Sequence, residues 1–361
     1  MAIDRRDFIK TAFAGSAALS LAGCAGDDRS SAEPRSLDLL VLGGTGFIGP
    51  YQIRYALSRG HNVTMFNRGQ SNPDMFPELE RLIGDRAGDL TALERRRWDA
   101  VIDNSATDPD WVRASAGLLA DSVDQYLFVS STGVYYPYHT PGADEALAPN
   151  TEMIPDDGSS TYGVNKALSE GEAESAFPGR AIVVRPHFIA GPDDPTDRFT
   201  SWPVRLSRGT PVIGPGTPAD PVQFVDVRDV TEFMVTLIEE GHAGVYNAAG
   251  PALPTGVGPF IEAVQSGVGV ASEVVWIDDL DFLAEQRFQA VPWIPPSGDL
   301  EAMAQVSNAK ALEHGLQLRP IADTARDTIE WWNQQPEERR EELAHGPSEE
   351  REAEIIAEWR G

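Results

Sequence analysis

The chain has 361 residues, 41% of them hydrophobic and 24% charged, which is enough to bury a full core in one large domain or two interleaved ones and excludes a fibrous or broadly disordered protein. Acidic residues number 56 against 29 basic ones, a formal charge of −27. Such a field repels polyphosphate backbones and anionic membranes, so nucleic acid is set aside as a main partner, and the acidity reads most simply as solubility or a salty habitat.

The chain opens with "DRRDFIK", the small-residue apolar run "TAFAGSAALSLAG", and then Cys24. That run of 13 residues is too short for a hydrocarbon layer, which needs roughly 20, but it suits the apolar region of an export signal. With Arg5, Arg6, Phe8 and Lys10 in place, the segment resembles a bacterial twin-arginine signal. "LAGC" (Leu21 to Cys24) resembles a lipoprotein cleavage box in which Cys24 is lipidated and becomes the new N-terminus. Residues 1–24 are therefore expected to direct export, and the polar, small residues 25–36 to form a tether. The alternative is a buried helix with a stray cysteine. Cys24 is the only cysteine, so no intramolecular disulfide can form and stability must come from the core. The twin-arginine route carries folded proteins, which suits a protein that acquires its cofactor before it leaves the cytoplasm.

From Leu37 to Gly69 the pattern is a short apolar run, a glycine turn, a helical stretch and a second apolar run, the outline of a βαβ unit. Gly43, Gly46 and Gly49 in "GGTGFIG" lie at the strand-to-helix turn, where glycines let the backbone approach a pyrophosphate attracted by the helix N-terminus. The end of the second strand carries Asn67 and Arg68 rather than a carboxylate, which tilts the cofactor from NAD slightly toward NADP, although Arg68 also suits a plain surface turn. Asp85 follows the expected third strand, where a carboxylate suits either the adenine amine or a helix N-cap. Further apolar runs, "WDAVIDNSA", "DQYLFVSSTGVY" and "GRAIVVRPHFI", alternate with helical segments and predict a doubly wound parallel sheet over residues 37–190.

From Gly191 the chain becomes rich in proline and glycine, which predicts a smaller irregular lobe over residues 191–334, interleaved with the last sheet elements. Asp226, Arg228 and Asp229 in "QFVDVRDV" suit either ordering of that lobe or internal salt links. Trp331 and Trp332 are expected to anchor a closing helix. The charged residues 335–361 read as a solvated helix or a loose end. No metal site is expected: six histidines are scattered without a ligand spacing, and His187 reads as a packing or substrate-lobe residue.

Only three lysines occur, and Lys166 stands four residues after Tyr162 in "YGVNK". On a helix the two share one face. A phenol with a pKa near 10 is a poor base at neutral pH, and a neighbouring ammonium and a nicotinamide cation both favour phenolate. Arginine lacks the compact ammonium able to hold ribose hydroxyls beside that phenol. Ser131 in "FVSSTGVYY" suits a hydrogen bond to the substrate oxygen, with Thr132 as substitute, and the same residues also suit a cap or turn.

"GGTGFIG", "SSTGVY", "YGVNK", "RPHFIAGP" and "QFVDVRDV" occur in the order and spacing of the extended short-chain dehydrogenase/reductases, the group of nucleotide-sugar epimerases and dehydratases, which the chain resembles from about Leu37 to Trp332. The resemblance implies a Rossmann domain binding NAD or NADP, a catalytic set of Ser131, Tyr162 and Lys166, a carbohydrate-like small-molecule substrate, and pairing into homodimers. It further implies that Gly43, Gly46, Phe47, Ile48 and Gly49 meet the pyrophosphate. Asn67, Arg68, Asp85 and Arg86 would lie toward the adenosine, Ser105 and Ala106 along the dinucleotide, and Pro186 and Phe188 beside the nicotinamide. Two positions depart from the pattern: Tyr136 replaces the usual glycine of "VYG", and Asn67 the usual acid. "VTMFNRG" also resembles an atypical branch with chloroplast RNA-binding members, which characteristically lose the catalytic residues that this chain keeps.

Overall fold

The computed structural model describes residues 35–104, 107–154 and 158–361. The export segment, Cys24 and nearly all of the tether lie outside them, as do Ser105 and Ala106. The first half of the described chain runs through β1 (Asp38–Leu42), α1 (Gly49–Ser58), β2 (Asn62–Asn67), β3 (Glu80–Ile83), β4 (Trp98–Asp103), α2 (Pro109–Leu119), β5 (Val123–Val129), α3 (Gly158–Ala176) and β6 (Ala181–Pro186). It continues with β7 (Ile189–Ala190), α4 (Ser201–Ser207), β8 (Val212–Pro215), β9 (Pro221–Asp226), α5 (Val227–Glu239), β10 (Gly244–Ala248), β11 (Gly250–Gly256), α6 (Val257–Val268) and β12 (Val274–Ile277). The last part contains α7 (Leu280–Glu285), α8 (Ala309–Glu313), α9 (Ile321–Asn333), α10 (Glu337–Arg340) and α11 (Glu349–Arg360).

Seven parallel strands form the main sheet in the order β10-β6-β5-β4-β1-β2-β3. The period of two along each strand sends alternate side chains to opposite faces. Leu39, Val41, Ala100 and Ile102 thus meet Ile53 of α1 and Phe233 of α5, while Leu40, Leu42, Val101 and Phe128 meet Val112 of α2 and Phe177 of α3. Both faces are covered, which is why the strands read as continuous apolar runs. Strand order reverses between β1 and β4, and a crevice opens at the carboxyl ends of the strands there.

The lobe carries the antiparallel-and-parallel sheet β11-β9-β7 and the pair β12-β8. Its core gathers Trp202, Phe224, Phe260 and Trp293. The interleaving is realised by β10, which returns to the main sheet beside β6 after β9 and α5. Trp332 of α9 is buried, and Asp226 and Asp229 pair with Arg228 and Arg319. The salt-link reading of "QFVDVRDV" therefore describes what these residues do.

The charged C-terminal stretch corrects the expectation of a solvated or loose end. Helix α11 places Ile355 and Ile356 in the lobe core, and Glu352, 3% exposed, pairs with the fully buried Arg205 and accepts the Ile213 N–H at 2.7 Å. Its apolar residues are too few for a hydrophobic stripe to stand out among the charges, and the decisive partner lies 147 positions away in the chain.

Candidate active site

The crevice begins at the glycine turn. Gly43 and Gly44 have φ of 104° and 93°, which side-chain-bearing residues rarely adopt. A Cβ on Gly49 would stand 2.5 Å from the Gly44 carbonyl carbon, so glycine there lets α1 pack on the turn. A Cβ on Gly46 would meet nothing within 4 Å, because its side faces open space. The three glycines thus supply the bend, the open cradle and the close packing that a diphosphate site requires, and a dinucleotide fits these residues. A cleft of about 340 Å³ runs on from Gly43 and Gly46 past Asn67, Arg68, Asp85 and Arg86 to Trp111.

Within that cleft the side chains play unequal parts. Asn67 donates to the Gly43 carbonyl at 3.2 Å and accepts from the Gly69 N–H at 2.9 Å, tying the turn to β2. Arg68 is exposed and has no hydrogen-bond or ion-pair partner among the described residues. Asp85 accepts from the Ala87 N–H at 3.0 Å, a local turn bond. Arg86 borders the cleft with its guanidinium clamped on buried Asp103, which also accepts from Tyr126 at 2.5 Å. Ile48, the N-cap of α1, packs its side chain against the sheet core, so any part it takes at the turn falls to its backbone. Phe47 beside it lines the reaction cavity.

That cavity, of about 530 Å³, lies between the sheet's carboxyl edge and the lobe. Ser131, Thr132, Tyr162, Pro186, His187 and Phe188 all line it. Ser131 caps a short helical turn just after β5, accepts from the Gly133 N–H at 3.0 Å, and lines the cavity beside Tyr162. Thr132 beside it is buried, 3% exposed. The capping reading of Ser131 therefore holds, and the cap sets this residue in the wall of the cavity.

Tyr162 and Lys166 stand one turn apart on α3, with Nζ 5.9 Å from the phenol ring centroid. Burial pushes the Tyr162 phenol up, while the Ser131 hydroxyl and the charge of Arg198 pull it down. Lys166 is 4% exposed and donates to the Val129 carbonyl at 2.8 Å. Burial pushes its ammonium down to about 8, against the pull of Asp103 and Glu170. A desolvated amine next to a half-open phenol can hold ribose hydroxyls and share a proton path.

Sequence reasoning missed the framework beneath this pair. Glu170, a further turn along α3, accepts from Ser130 at 2.5 Å and from both ends of the Arg185 fork, at 2.9 and 2.6 Å. Arg185 also donates to Tyr135 at 2.6 Å, and Tyr135 to Asn247 on β10 at 3.0 Å. The signal available was the spacing Tyr162, Lys166, Glu170, a polar stripe on one helix face. Arg198 and Asp194 at the cavity's lobe side were also missed, because "GPDDPTDRF" is a loop without periodicity. His187 is neutral, pushed down to about 4 by burial, and its Nε2 bonds the Met303 carbonyl at 3.1 Å.

A family model for NAD-dependent epimerases/dehydratases matches residues 39–249. The chain belongs to the NAD-dependent epimerase/dehydratase family. Among the relatives of this family member is chloroplast stem-loop binding protein of 41 kDa b from Arabidopsis thaliana, 24% identical over 320 residues, covering 82% of this chain and 78% of that one. Another is 2-alkyl-3-oxoalkanoate reductase from Stenotrophomonas maltophilia, 28% identical over 184 residues, or 44% of this chain and 52% of that one. Among solved structures, the Bordetella bronchiseptica enzyme WbmG in complex with NAD matches with a TM-score of 0.61 at 17% identity, covering 85% of this chain and 96% of that one. The epimerase/dehydratase fold is thus present from the glycine turn to the return of β10.

Proposed function

We propose that this family member is an exported oxidoreductase of the epimerase/dehydratase type. In this reading it moves hydride at a carbinol or ketone carbon of a sugar-like molecule. The observation that carries the reading is that Ser131 and Tyr162 line one cavity together with Phe47 of the glycine turn, while Lys166 stands one turn along α3 with Nζ 5.9 Å from the phenol ring centroid. Bound nicotinamide supplies or accepts the hydride. Tyr162 exchanges the proton of the carbinol oxygen, Ser131 hydrogen-bonds that oxygen as charge develops, and Lys166 stabilises the phenolate. Phe188 and Pro186 wall the cavity and exclude water on the cofactor side.

Export by the twin-arginine route, with a lipid anchor at Cys24, is part of the proposal and rests on Arg5, Arg6 and the "LAGC" box. Outside the cytoplasm free nicotinamide is scarce, so a retained cofactor that returns its hydride to the same molecule, by epimerisation or dehydration, fits better than net reduction. The unpartnered Arg68 favours a second reading, an NADP-dependent ketone reductase working before export, since a guanidinium there suits a 2′-phosphate. The charge of −27 argues against a nucleic-acid-binding role of the kind a stem-loop binding protein, as the Arabidopsis relative is named, would have.

The test is spectroscopic. Purified protein should show bound nicotinamide by absorbance or fluorescence, and a candidate sugar or ketone should change that signal. Tyr162→Phe is expected to lower turnover at least about a thousandfold while sparing dinucleotide binding. Turnover at the wild-type rate in this variant would remove Tyr162 from the chemistry.

A further inference from the structure

Arg198 differs from the other enclosed arginines. Arg86, Arg185, Arg205, Arg228, Arg319 and Arg339 each clamp a carboxylate. Arg198, half-buried in the cavity wall, makes no ion pair among the described residues. Arg81 and Arg180, equally half-buried, spend both terminal nitrogens or a fork of them on backbone carbonyls, whereas the terminal nitrogens of Arg198 have no partner among the described residues. Desolvating that charge is unfavourable unless an anion answers it.

The group is also aimed. Its Nε donates to the Thr196 hydroxyl at 2.9 Å, and its plane lies over the Phe188 ring, 5.3 Å from the centroid. Thr196 is held in turn, donating from its N–H and its hydroxyl to one Asp194 oxygen at 2.9 and 2.7 Å. Asp194 is 1% exposed, and its other carboxylate oxygen has no partner. The Arg198 charge acts on the buried Asp194 carboxylate through Thr196 and without a direct ion pair, which leaves the terminal nitrogens of Arg198 for a ligand. Arg198 lines the same cavity as Ser131 and Tyr162, and its charge acts on the Tyr162 phenol.

We propose that Arg198 is the specificity residue of this cavity, and that it receives the anionic oxygen pair, carboxylate or phosphate, of a hydroxylated substrate whose carbinol reaches Ser131 and Tyr162. The planar fork of guanidinium matches two oxygens at once, while its orientation is set by Thr196 and Phe188 before the ligand arrives. In a chain of charge −27 the two unpartnered terminal nitrogens of Arg198 offer an anion a local donor pair beside Ser131 and Tyr162. The proposal rests on the reading of this cavity as the substrate site.

Calorimetric titration of the full-length chain, with NADP present and absent, tests it using D-glucuronate, α-D-glucose 1-phosphate and neutral D-glucose. At least one of the two anions is expected to bind about tenfold or more tighter than glucose. Glucuronate alone would identify the carboxylate, and the phosphate ester alone the phosphate. Arg198→Gln should abolish the preference without changing the melting temperature or dinucleotide affinity, and Arg198→Lys should keep part of it. Three results overturn the proposal: no anion preference in the wild type, a preference that survives Arg198→Gln, or loss of dinucleotide binding in that variant, which would assign Arg198 to the cofactor. Tyr162→Phe separates this proposal from the oxidoreductase reading, because anion binding should persist there. Arg198-dependent binding in a wild type that never alters bound nicotinamide would sink the oxidoreductase reading and leave this one standing.

Discussion

Lys166 illustrates how a reactive residue is held at a cost to the fold. Its ammonium is buried under Phe128, with Nζ 4.9 Å from that ring centroid, and has a backbone carbonyl as its direct partner. Because burial lowers its pKa from 10.5 to about 8, the unfolded chain binds the extra proton between those two values. More protons on the unfolded state means that stability rises with pH across that window. Lys166→Met is expected to remove this component. Urea-unfolding midpoints from pH 7.5 to 10 should climb less steeply in the variant than in the wild type, and parallel curves would place the lysine in an ordinary solvated setting. The pairing with Tyr162 was legible as a four-residue spacing. The lysine's depressed pKa was not, since it arises from desolvation of the ammonium where α3 packs on β5, a different element.

At the level of elements, the strand–turn–helix of β1 and α1 separates two uses of glycine that look alike in "GGTGFIG". Gly46→Ala places a methyl group in open space, so the fold should tolerate it while the cradle loses room for a diphosphate. The melting temperature should hold, and dinucleotide affinity should fall about tenfold or more. Gly49→Ala drives a methyl group into the Gly44 backbone and is expected to destabilise the protein by about 1–3 kcal/mol, as measured by denaturant unfolding. If both variants lose stability equally, the cradle is a packing feature only. Helix α3 makes the complementary point: Tyr162, Lys166 and Glu170 share a face, but which of them meets solvent, cofactor side or Arg185 depends on β5 and β6 beneath. Ile48 shows the reverse case, a residue within the motif whose side chain the helix face commits to the core.

Over the whole molecule, residues 36–361 form one compact unit, and α11 is part of what holds the lobe together. Glu352→Ala would leave the guanidinium of Arg205 and the Ile213 N–H buried without their carboxylate. Removing one partner of a buried pair costs about 3–5 kcal/mol, and the unfolding midpoint should fall accordingly. A midpoint unchanged from the wild type would return α11 to the status of a surface appendage. Glu352→Gln, which keeps an acceptor for Ile213, should lose less.

The order of strands and helices, the glycine turn, the Tyr162–Lys166 spacing and the nucleotide-binding class were readable from the chain alone, because each depends on local period and on residue types only a few positions apart. The docking of α11, the inward turn of Ile48, the Glu170–Arg185 brace and the unpartnered terminal nitrogens of Arg198 were decided by tertiary structure. Each depends on what a distant segment presents to that side chain, and neither periodicity nor local spacing carries that information.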